Sequence, residues 1–406
     1  SQVKAAEAQA DHAKWKRVEA FSGQMPVIAL GSSFLTQKKY LVTDVTFPGA
    51  QAPTSFPQII PTTMWSANAQ LPLFDGFAST ARLMAANRFL ESAEQNLEWQ
   101  RFQVQREVIL QFFKAIAAEE LKKVAAQNQR TLEDHLKEVK LSKNVGLATH
   151  YDILRVEVQA SEARSEVLNA EDNVHMARMK LSEIIGRDVD SNPGSMPAPA
   201  GTIPVLSPSQ VKDLTGVRGS ARKDLQSLET RVEGLERTTS AARRHFFPKI
   251  SLFGQYQYYN NLNDDPTDYQ VFRRAWSAGL SLNWVLFDGF ASTARSREAA
   301  SELAEASAML NSRKAKAKTD GEFWRRKVAY FATLHEARTS DVTKAEESVR
   351  LAKVGQKEGT RTSTDLLDAE SELFRARAGA INALTGCVES VVNLELATGK
   401  ELFPFF

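Results

Sequence analysis

The sequence contains few of the residues on which metal binding, redox chemistry or catalysis usually depend. It has one cysteine, Cys387, so a disulfide within the chain and a Cys-rich metal site are both excluded. Its six histidines form no His-x-x-His or Glu-x-x-His cluster of the kind that binds zinc. It also has no glycine-rich phosphate loop and no serine or cysteine in a nucleophile motif. The sequence therefore predicts no enzyme, no cofactor and no bound metal.

A dominant charge and long apolar runs are also missing. Lys and Arg number 51 against 49 Asp and Glu, a net charge of +2, which predicts no general attraction to nucleic acid. No run of about 18 apolar residues occurs, so no transmembrane helix is expected. The first residues, from Ser1, contain no signal-peptide core and no lipid-acceptor cysteine. We therefore expect a mature, unlipidated form.

What the sequence does contain is a ten-residue segment that occurs twice. Leu73–Arg82 reads Leu-Phe-Asp-Gly-Phe-Ala-Ser-Thr-Ala-Arg and recurs, letter for letter, as Leu286–Arg295, 213 residues later (286 − 73). Self-similarity at half the length of the chain predicts a duplicated unit. Each copy marks a change from a strand pattern to a helix pattern, so we interpret both copies as structural joints.

The segments before each copy alternate between apolar and polar residues, as strands with two different faces do. In the first half we predict strands at 27–34, 40–47 and 59–73, with a loop from Pro48 to Pro57. In the second half, one strand starts after Pro248 and the other leads into the second copy. The apolar rows that define this period of two are Trp65, Ala67, Ala69, Leu71 and Leu73, then Leu252, Gly254, Tyr256 and Tyr258, then Trp276, Ala278, Leu280, Leu282, Trp284 and Leu286.

The segments after each copy predict helices that are too long for a globular core. No proline or glycine occurs between Phe77 and Val145, so a helix of about 65 residues and about 100 Å is expected. Apolar residues seven apart predict coiled-coil packing in each outgoing and each returning helix. They are Leu83, Leu90, Leu97 and Val104; Ile153, Ala160, Val167, Val174 and Leu181; Leu303, Leu310, Ala317, Trp324 and Phe331; and Leu366, Leu373, Ala380, Cys387 and Leu394. Cys387 is thus expected to be a buried seam residue rather than a reactive thiol.

We divide the chain into two structural repeats that a proline-rich linker joins. The first repeat covers 1–189 and comprises a helix at 1–22, a β-hairpin at 26–75 and a helical hairpin at 77–186. The linker covers 190–211. The second repeat covers 212–406 and comprises a helix from about 212 to 245, a β-hairpin at 248–288 and a helical hairpin at 290–398.

The strands have two possible environments. Two hairpins cannot bury their own apolar rows, and copies from other subunits could close them into a membrane barrel with aromatic residues at the lipid interfaces. The alternative is a soluble sheet that a helix face covers. The long helices favour the barrel, because they leave no obvious layer for the sheet.

The order of these elements resembles the TolC-like family of outer-membrane efflux and secretion channels. The resemblance covers nearly the whole chain and rests on the Leu-Phe-Asp-Gly joints and on two turns, at 145–152 and 359–369. These turns align with each other at the same offset, since Gly359 follows Gly146 by 213 residues. It implies a mostly α-helical fold with a small β part. Three chains would form a twelve-stranded β-barrel that continues into an α-helical periplasmic tunnel.

The resemblance also implies a function and partners. The chain would be the passive exit duct of a tripartite efflux or type I secretion system in the outer membrane of a Gram-negative bacterium. It would be a homotrimer, contacting outer-membrane lipid, a periplasmic adaptor and an inner-membrane pump, with its gate at the periplasmic tip. Drugs, metals and proteins all stay open as the exported substrate.

The family's pore constriction corresponds to Asp365 and Asp368, with Asp152 at the matching place in the first repeat. In a trimer, Asp365 and Asp368 would form two stacked acidic rings that favour cations. The alternative is that Asp365 stabilises a helix start and Asp368 is a solvated surface charge.

The family's closing latch corresponds to Arg361, which would bond to the neighbouring hairpin's tip, including Asp152. Two other members of that bond set differ from the family pattern: Tyr151 stands in place of a threonine and Gln356 in place of a tyrosine.

The family's adaptor grooves correspond to small residues in the two turns, although each glycine there is open to the simpler interpretation of a turn that ends a helix. These docking residues are Gly146, Leu147, Ala148, Thr149, Gly359, Thr360 and Thr362. The structural joints are assigned to Asp75, Gly76, Asp288 and Gly289. A coiled-coil scaffold or adhesin that does not transport is the alternative function; it explains the heptads but not the paired strands.

Overall fold

The computed structural model describes residues 2–35, 41–49, 51–58, 61–146, 148–189, 199–260, 262, 265 and 267–405. The helices are α1 (Gln2–Ser22), α2 (Ala78–Asn144), α3 (His150–Ile185), α4 (Pro208–Gly216), α5 (Lys223–Ala242), α6 (Ala291–Lys357) and α7 (Ser363–Thr398). The strands are β1 (Val27–Phe34), β2 (Leu41–Val45), β3 (Thr54–Gln58), β4 (Thr63–Phe74), β5 (Lys249–Asn260) and β6 (Arg273–Asn283). The predicted class, mostly helical with a small β part, is confirmed.

Four strands form one antiparallel sheet in the order β1-β4-β5-β6. Val27 pairs with Gln70 between β1 and β4, Leu71 pairs with Leu252 between β4 and β5, and the β5–β6 pair runs from Lys249 opposite Asn283. The register shifts between Pro72 and Phe74, where proline cannot donate to the ladder. Among the described strands, β1 and β6 each have one neighbour, so the sheet has two open edges.

The predicted loop from Pro48 to Pro57 is wrong at its end. Residues Thr54–Gln58 form β3, which pairs antiparallel with β2 in a separate two-stranded sheet. The Ser55 hydroxyl donates to Asp44 Oδ1 across this hairpin. Pro57 is compatible with such an edge position, because an edge strand leaves one side of its backbone without ladder partners. Tyr40, Ile59 and Ile60, at the ends of the predicted strands, lie outside the described residues.

The two long helices and their returns match the predicted lengths. α2 and α6 have 67 residues each, and α3 and α7 have 36 each. α3 ends at Gly186 and α7 at Gly399, both in the left-handed conformation that closes a helix with a backbone hydrogen bond. The seam residues Val174, Leu181, Cys387 and Leu394 are buried. Burial also raises the pKa of the Cys387 thiol to about 11, so its sulfur is unreactive.

The single helix predicted from about 212 to 245 is instead two helices. α4 starts four residues inside the predicted linker, at Pro208, because Ser207 and Gln210 form a capping box there. The chain leaves the helix at 217–222, where its backbone groups find partners elsewhere. The N–H of Ala221 donates to Thr398 O at 2.7 Å, and Arg325 donates to Val217 O at 2.8 Å.

The chain forms two compact units, and each combines segments from both halves of the sequence. One comprises 1–8, 95–226 and 310–406; the other comprises 9–94 and 227–309. The two repeats, as we divide them, stay an interpretation of the sequence.

In the first unit, α2 packs on α7 through an apolar cluster that includes Ile109, Phe113 and Val392. A buried ion pair lies beside it: Arg106 contacts Glu395 at 3.2 Å, and Glu395 Oε1 accepts from the N–H groups of Leu402 and Phe403. Glu395 thus fastens the segment after α7.

The second unit contains the sheet and both joints. At the first joint, Gly76 has φ +71° and Phe77 has φ +63°; at the second, Gly289 and Phe290 both have φ +67°. Asp75 and Asp288 accept from the backbone N–H of Ser79 and Ser292, at 2.7 and 2.8 Å, which caps α2 and α6. Hydrogen bonds from Ser292 lower the pKa of Asp288. Each joint thus leads the chain from strand to helix through a pair of residues in the left-handed conformation.

The surroundings of the two joints differ at Phe247, which packs only against the glycine of the first joint. A Cβ at Gly76 would lie 2.7 Å from Phe247, whereas a Cβ at Gly289 would have no atom within 4 Å. We therefore predict that Gly289→Ala costs about 1–3 kcal/mol, from backbone strain alone. Gly76→Ala should cost about 1–3 kcal/mol more, because it also overpacks against Phe247. Denaturant unfolding of the two variants checks this, and equal losses would contradict the role of Phe247.

Candidate functional site at the helical tips

Two short turns join the long helices to their returns, and both end in the same type of cap. In the first turn, Thr149 Oγ1 accepts from the backbone N–H of Asp152 at 3.2 Å, while Asp152 Oδ2 accepts from the N–H and the hydroxyl of Thr149 at 2.8 and 2.6 Å. This is a capping box at the start of α3. Gly146, just after α2, has φ +79°. Leu147 lies outside the described residues.

In the second turn, Thr362 and Asp365 form the equivalent box at the start of α7. Asp365 Oδ2 accepts from the N–H and the hydroxyl of Thr362, each at 2.8 Å, and Asp365 N–H donates to Thr362 Oγ1 at 3.2 Å. Gly359 has φ +74°. The helix-start role that we considered for Asp365 is therefore present in the single chain, and the aspartate keeps a second carboxylate oxygen beyond that bond.

These caps also affect the charge of the two aspartates. Hydrogen bonds from the Thr149 side chain and backbone lower the pKa of Asp152. The Thr362 backbone and side chain lower the pKa of Asp365, and Arg361 adds a smaller electrostatic contribution. Both carboxylates are therefore ionised above their ordinary pKa of 3.8. Stability from the caps is present above that value and is lost as pH falls through the lowered pKa.

Arg155 of α3 reaches across to the first turns of α7. Its Nη1 donates to Thr364 Oγ1 at 3.0 Å, and its Nη2 lies 3.9 Å from Asp368 Oδ1. Asp368 is otherwise exposed, with 65% of its side chain accessible. No role was predicted for Arg155 from the sequence, so this contact was missed.

The residues predicted to form a latch are placed on the surface of one chain. Tyr151 is 71% exposed, and Gln356 is half-buried, with its carbonyl accepting from Gly359 N–H at 3.2 Å. Arg361 and Thr360 both donate backbone N–H groups to Gly355 O. In the described residues of one chain, the Arg361 guanidinium has no hydrogen bond or ion pair. A bond from Arg361 to Asp152 of a neighbouring hairpin stays a prediction.

A buried histidine under the tip was also missed. His135 of α2 is 3% exposed, and its Nε2 lies 2.9 Å from the hydroxyl of Ser363, the first residue of α7. Below it, Glu370 of α7 is 4% exposed and lies 3.6 Å from Lys353 of α6. The sequence signal was available: His135 follows Leu132 by three residues and precedes Val139 by four, which is the spacing of the buried seam.

Taken together, the tip is a polar, largely charged end on a buried apolar support. Leu132, Val139, Ile153, Val156 and Leu367 form the support. No group of three or more His, Cys, Asp or Glu is placed to hold a metal ion in the part of the chain that the structure describes. Exposed carboxylates at a helical end can attract cations. The small residues and the guanidinium beside them can contact a partner protein.

Comparison with known proteins identifies the family. The model of the outer membrane efflux protein family matches residues 1–187 and 220–400. The chain belongs to the outer membrane efflux protein family. The resemblance predicted from the sequence is thereby confirmed, as is an outer-membrane location in Gram-negative bacteria.

Two curated relatives are more specific in name. The chain is 25% identical to protein CyaE of Bordetella pertussis over 244 residues, which cover 59% of the chain and 50% of CyaE. It is 24% identical to the proteases secretion protein PrtF of Dickeya chrysanthemi over 324 residues, 79% of the chain and 67% of PrtF. The match thus spans half the length of CyaE and two thirds that of PrtF.

The fold of this efflux-family chain is also that of solved channels. It superposes on the outer-membrane channel OprN with a TM-score of 0.77 at 19% identity, covering 99% of the chain and 87% of OprN. Within the described ranges, none of its helices carries an apolar stretch long enough to cross a membrane.

The capping box of α7 gives a testable prediction. Thr362→Val keeps the shape of the side chain but removes the oxygen that accepts from Asp365 N–H, and it should destabilise the start of α7 by about 1 kcal/mol. Thr362→Ser, the matched control, keeps that oxygen and should behave like the wild type. Hydrogen exchange of the amides in the first turn of α7 measures both, and equal protection in the two variants would show that the box contributes nothing.

Proposed function

We propose that this chain is one subunit of a trimeric exit duct in the outer membrane, gated at its helical tip and docked there by a periplasmic adaptor and an inner-membrane pump. The observation that carries the proposal is the sheet. It has two open edges and exposed apolar side chains, and its joints lead directly into the long helices. Family membership agrees with this function.

The exposed side chains of the sheet fit a lipid-facing wall. Leu30 is 84% exposed, Trp276 is 78% exposed, and Leu280 and Leu282 are also largely exposed. Isolated sheets that leave such rows and edges uncovered are prone to associate. Three copies would supply twelve strands, and pairing β1 of one copy with β6 of the next would close the barrel, with apolar residues towards lipid.

The exposed surfaces of the long helices also support packing against other copies. The part of α6 from Leu310 onwards belongs to the first unit. There the helix buries a narrow stripe of side chains that includes Leu310, Ala317, Val328, Ala345 and Ala352. The rest of its surface is exposed or half-buried. A helix that is buried on one side only can bury a second side against another copy, as adjacent helices do in a tunnel wall.

The tip supplies the gate in this proposal. The caps hold Asp365 at the start of α7, and Asp368 follows one turn later on the same face. In a trimer with α7 lining the pore, these residues would form two rings of carboxylates, which favour cations. The capping bond and the ring are compatible, because the cap engages only Oδ2 of Asp365.

The adaptor would dock on the small residues of both turns. A Cβ placed at Gly146 or Gly359 would have no atom within 4 Å, so the surface is open on this side of both turns. Ala148, Thr149, Thr360 and Thr362 continue that surface. A protein helix can approach such small side chains closely. The name PrtF indicates a relative that secretes proteases, and we therefore place polypeptides among the substrate classes to be tested.

A non-transporting scaffold or adhesin is the second reading of the helices. The family match does not favour it, because the matched model is of efflux proteins and covers both sheet and helices. We also propose that the chain has no catalytic activity, since its relatives are channels.

The first functional prediction concerns ion selectivity. Asp365→Asn with Asp368→Asn removes both ring charges, while asparagine at 365 retains an oxygen for the cap. We expect reconstituted channels to lose most of their cation preference. The matched control is Glu162→Gln, which removes an exposed charge from α3 and should leave selectivity unchanged. Reversal potentials in a salt gradient measure the cation preference. An unaltered cation preference in the double variant would contradict the assignment of Asp365 and Asp368 to the constriction.

The second functional prediction concerns the latch. Arg361→Ala should raise the conductance or the open fraction of single channels, because it deletes the guanidinium that would bind a neighbouring hairpin. Arg361→Lys keeps the charge but not the bidentate geometry, so an intermediate effect is expected. Conductance equal to that of the wild type in both variants would sink the latch role.

A further inference from the structure

Four polar groups beneath the tip, of which His135 and Glu370 are buried, have no part in the proposed gate. They lie on three helices: His135 on α2, Lys353 on α6, and Ser363 and Glu370 on α7. Ser363 and Glu370 are seven residues apart, so they share one face of α7. That face is the one packed against α2 and α6, since Leu366 and Leu367 of the same turns are both buried.

His135 ties α2 to the first turn of α7. Its Nε2 bonds to Ser363 Oγ at 2.9 Å, while its Nδ1 is buried and has no hydrogen-bond partner in the described residues. Burial lowers the pKa of His135; Glu138 of α2 opposes this and Lys353 of α6 adds to it. Because its pKa is lowered, the imidazole of His135 is neutral near pH 7. From α3, Arg155 binds Thr364, the neighbour of Ser363.

Glu370 borders a small cavity between the same helices. Its Oε1 lies 3.6 Å from Lys353 Nζ, and its Oε2 is buried with no partner among the described residues. The cavity has a volume of about 200 Å³ and is lined in part by Gln127, Asn128 and Thr131 of α2, and by Arg377 of α7, which pairs with Glu346 of α6. Burial raises the pKa of Glu370 to about 7, with Lys353 opposing and Glu138 adding to the rise.

Protons act on the two groups in opposite directions. Glu370 has a raised pKa, so its contribution to docking is full below 4.5 and is lost as pH rises through about 7. His135 has a lowered pKa, so its contribution is full above 6.5 and is lost as pH falls through the lowered value. Below pH 6.5, the gain from Glu370 and the loss from His135 oppose each other.

We propose that His135 and Glu370 are positioning residues of the gate, which dock the first turns of α7 on α2 and α6 and whose responses to protons oppose each other. The docked turns carry Asp365 and Asp368. The inference rests on the proposed function, since it concerns what holds the residues of the proposed constriction in place.

The test compares the wild type, two single variants, their double variant and one control variant by hydrogen exchange over pH 5–8, with rates corrected for the intrinsic pH dependence of exchange. His135→Gln keeps an amide that can reach Ser363 but does not titrate, and Glu370→Gln mimics the protonated acid. The double variant has neither group. The readout is the protection of amides 364–372 in the full-length protein in detergent or lipid discs.

The two single variants should acquire pH dependence of opposite sign. The His135→Gln variant retains only Glu370 of the two titrating groups, so its amides should gain protection as pH falls from 7 to 5. The Glu370→Gln variant retains only His135, so its amides should lose protection as pH falls below 6.5. Each slope is at most about tenfold per pH unit, the limit for one proton. The wild type should have a slope between those of the two single variants, and the double variant should be nearly flat. Glu372→Gln, which changes an exposed acid on the same helix, should match the wild type.

Slopes of the same sign, or flat profiles in both single variants, would overturn the inference. A merely structural role lowers protection equally at all pH values, so it would also give flat profiles and count against the proposal. Exchange does not require conduction, so the outcomes separate from those of channel recording. Opposite slopes in a protein that forms no channel would support this inference and contradict the proposed exit duct. Flat exchange profiles in both single variants of a conducting channel would support the exit duct and contradict this inference.

Discussion

The narrow buried seam along α6 is the constraint on which the rest of the structure depends. Where α7 packs on α6, a Cβ at Gly386 would lie 2.5 Å from the ring of Phe331, so only glycine lets the two helices approach this closely. In α6, a seam of about one residue in every seven buries one side of the helix and leaves the others exposed or half-buried. In the proposed assembly, the stability of one copy and its packing against further copies thus follow from the same pattern.

The tip shows how charges are held in place without being buried. Thr149 and Thr362 each fix an aspartate through paired hydrogen bonds, which keeps the carboxylates ionised at the surface. Beneath them lie the groups that burial keeps close to neutral, His135 and Glu370. The exposed and the buried groups have separate roles in our account: the first would meet ions and partners, and the second would hold α7 to its neighbours.

Much of the fold could be predicted from the sequence because it depends on local rules. The absence of proline and glycine set the length of α2, the seven-residue spacing identified Cys387 as buried, and Asp-Gly pairs marked the joints. The prediction was weaker where tertiary contacts decide. Residues 217–222 leave a helical pattern because Thr398 and Arg325 satisfy their backbone groups, and β3 forms in a segment whose composition suggested a loop.

The site was predictable in place but not in its bonds. The turns and their aspartates follow from the repeat, and the structure adds the capping boxes and the contact of Arg155 with Thr364 and Asp368. His135 and Glu370 were not identified, because a search for clustered metal ligands ignores single polar residues on an apolar seam. Such residues are informative because burying them requires a partner. The proposed barrel and trimer depend on contacts between copies, whereas the patterns in one sequence determine the elements of a single copy.

Crosslinking between the open edges of the sheet tests the central claim most directly. One cysteine is placed at Ala29 in β1, and a second, in turn, at Ala275, Ser277 or Gly279 in β6; the native Cys387 is buried and gives little background. If three copies close one barrel, at least one of these pairs in lipid-reconstituted protein should give a covalent ladder that ends at the trimer. A ladder that continues to higher polymers, one that stops at the dimer, or no crosslink at any position would contradict the account.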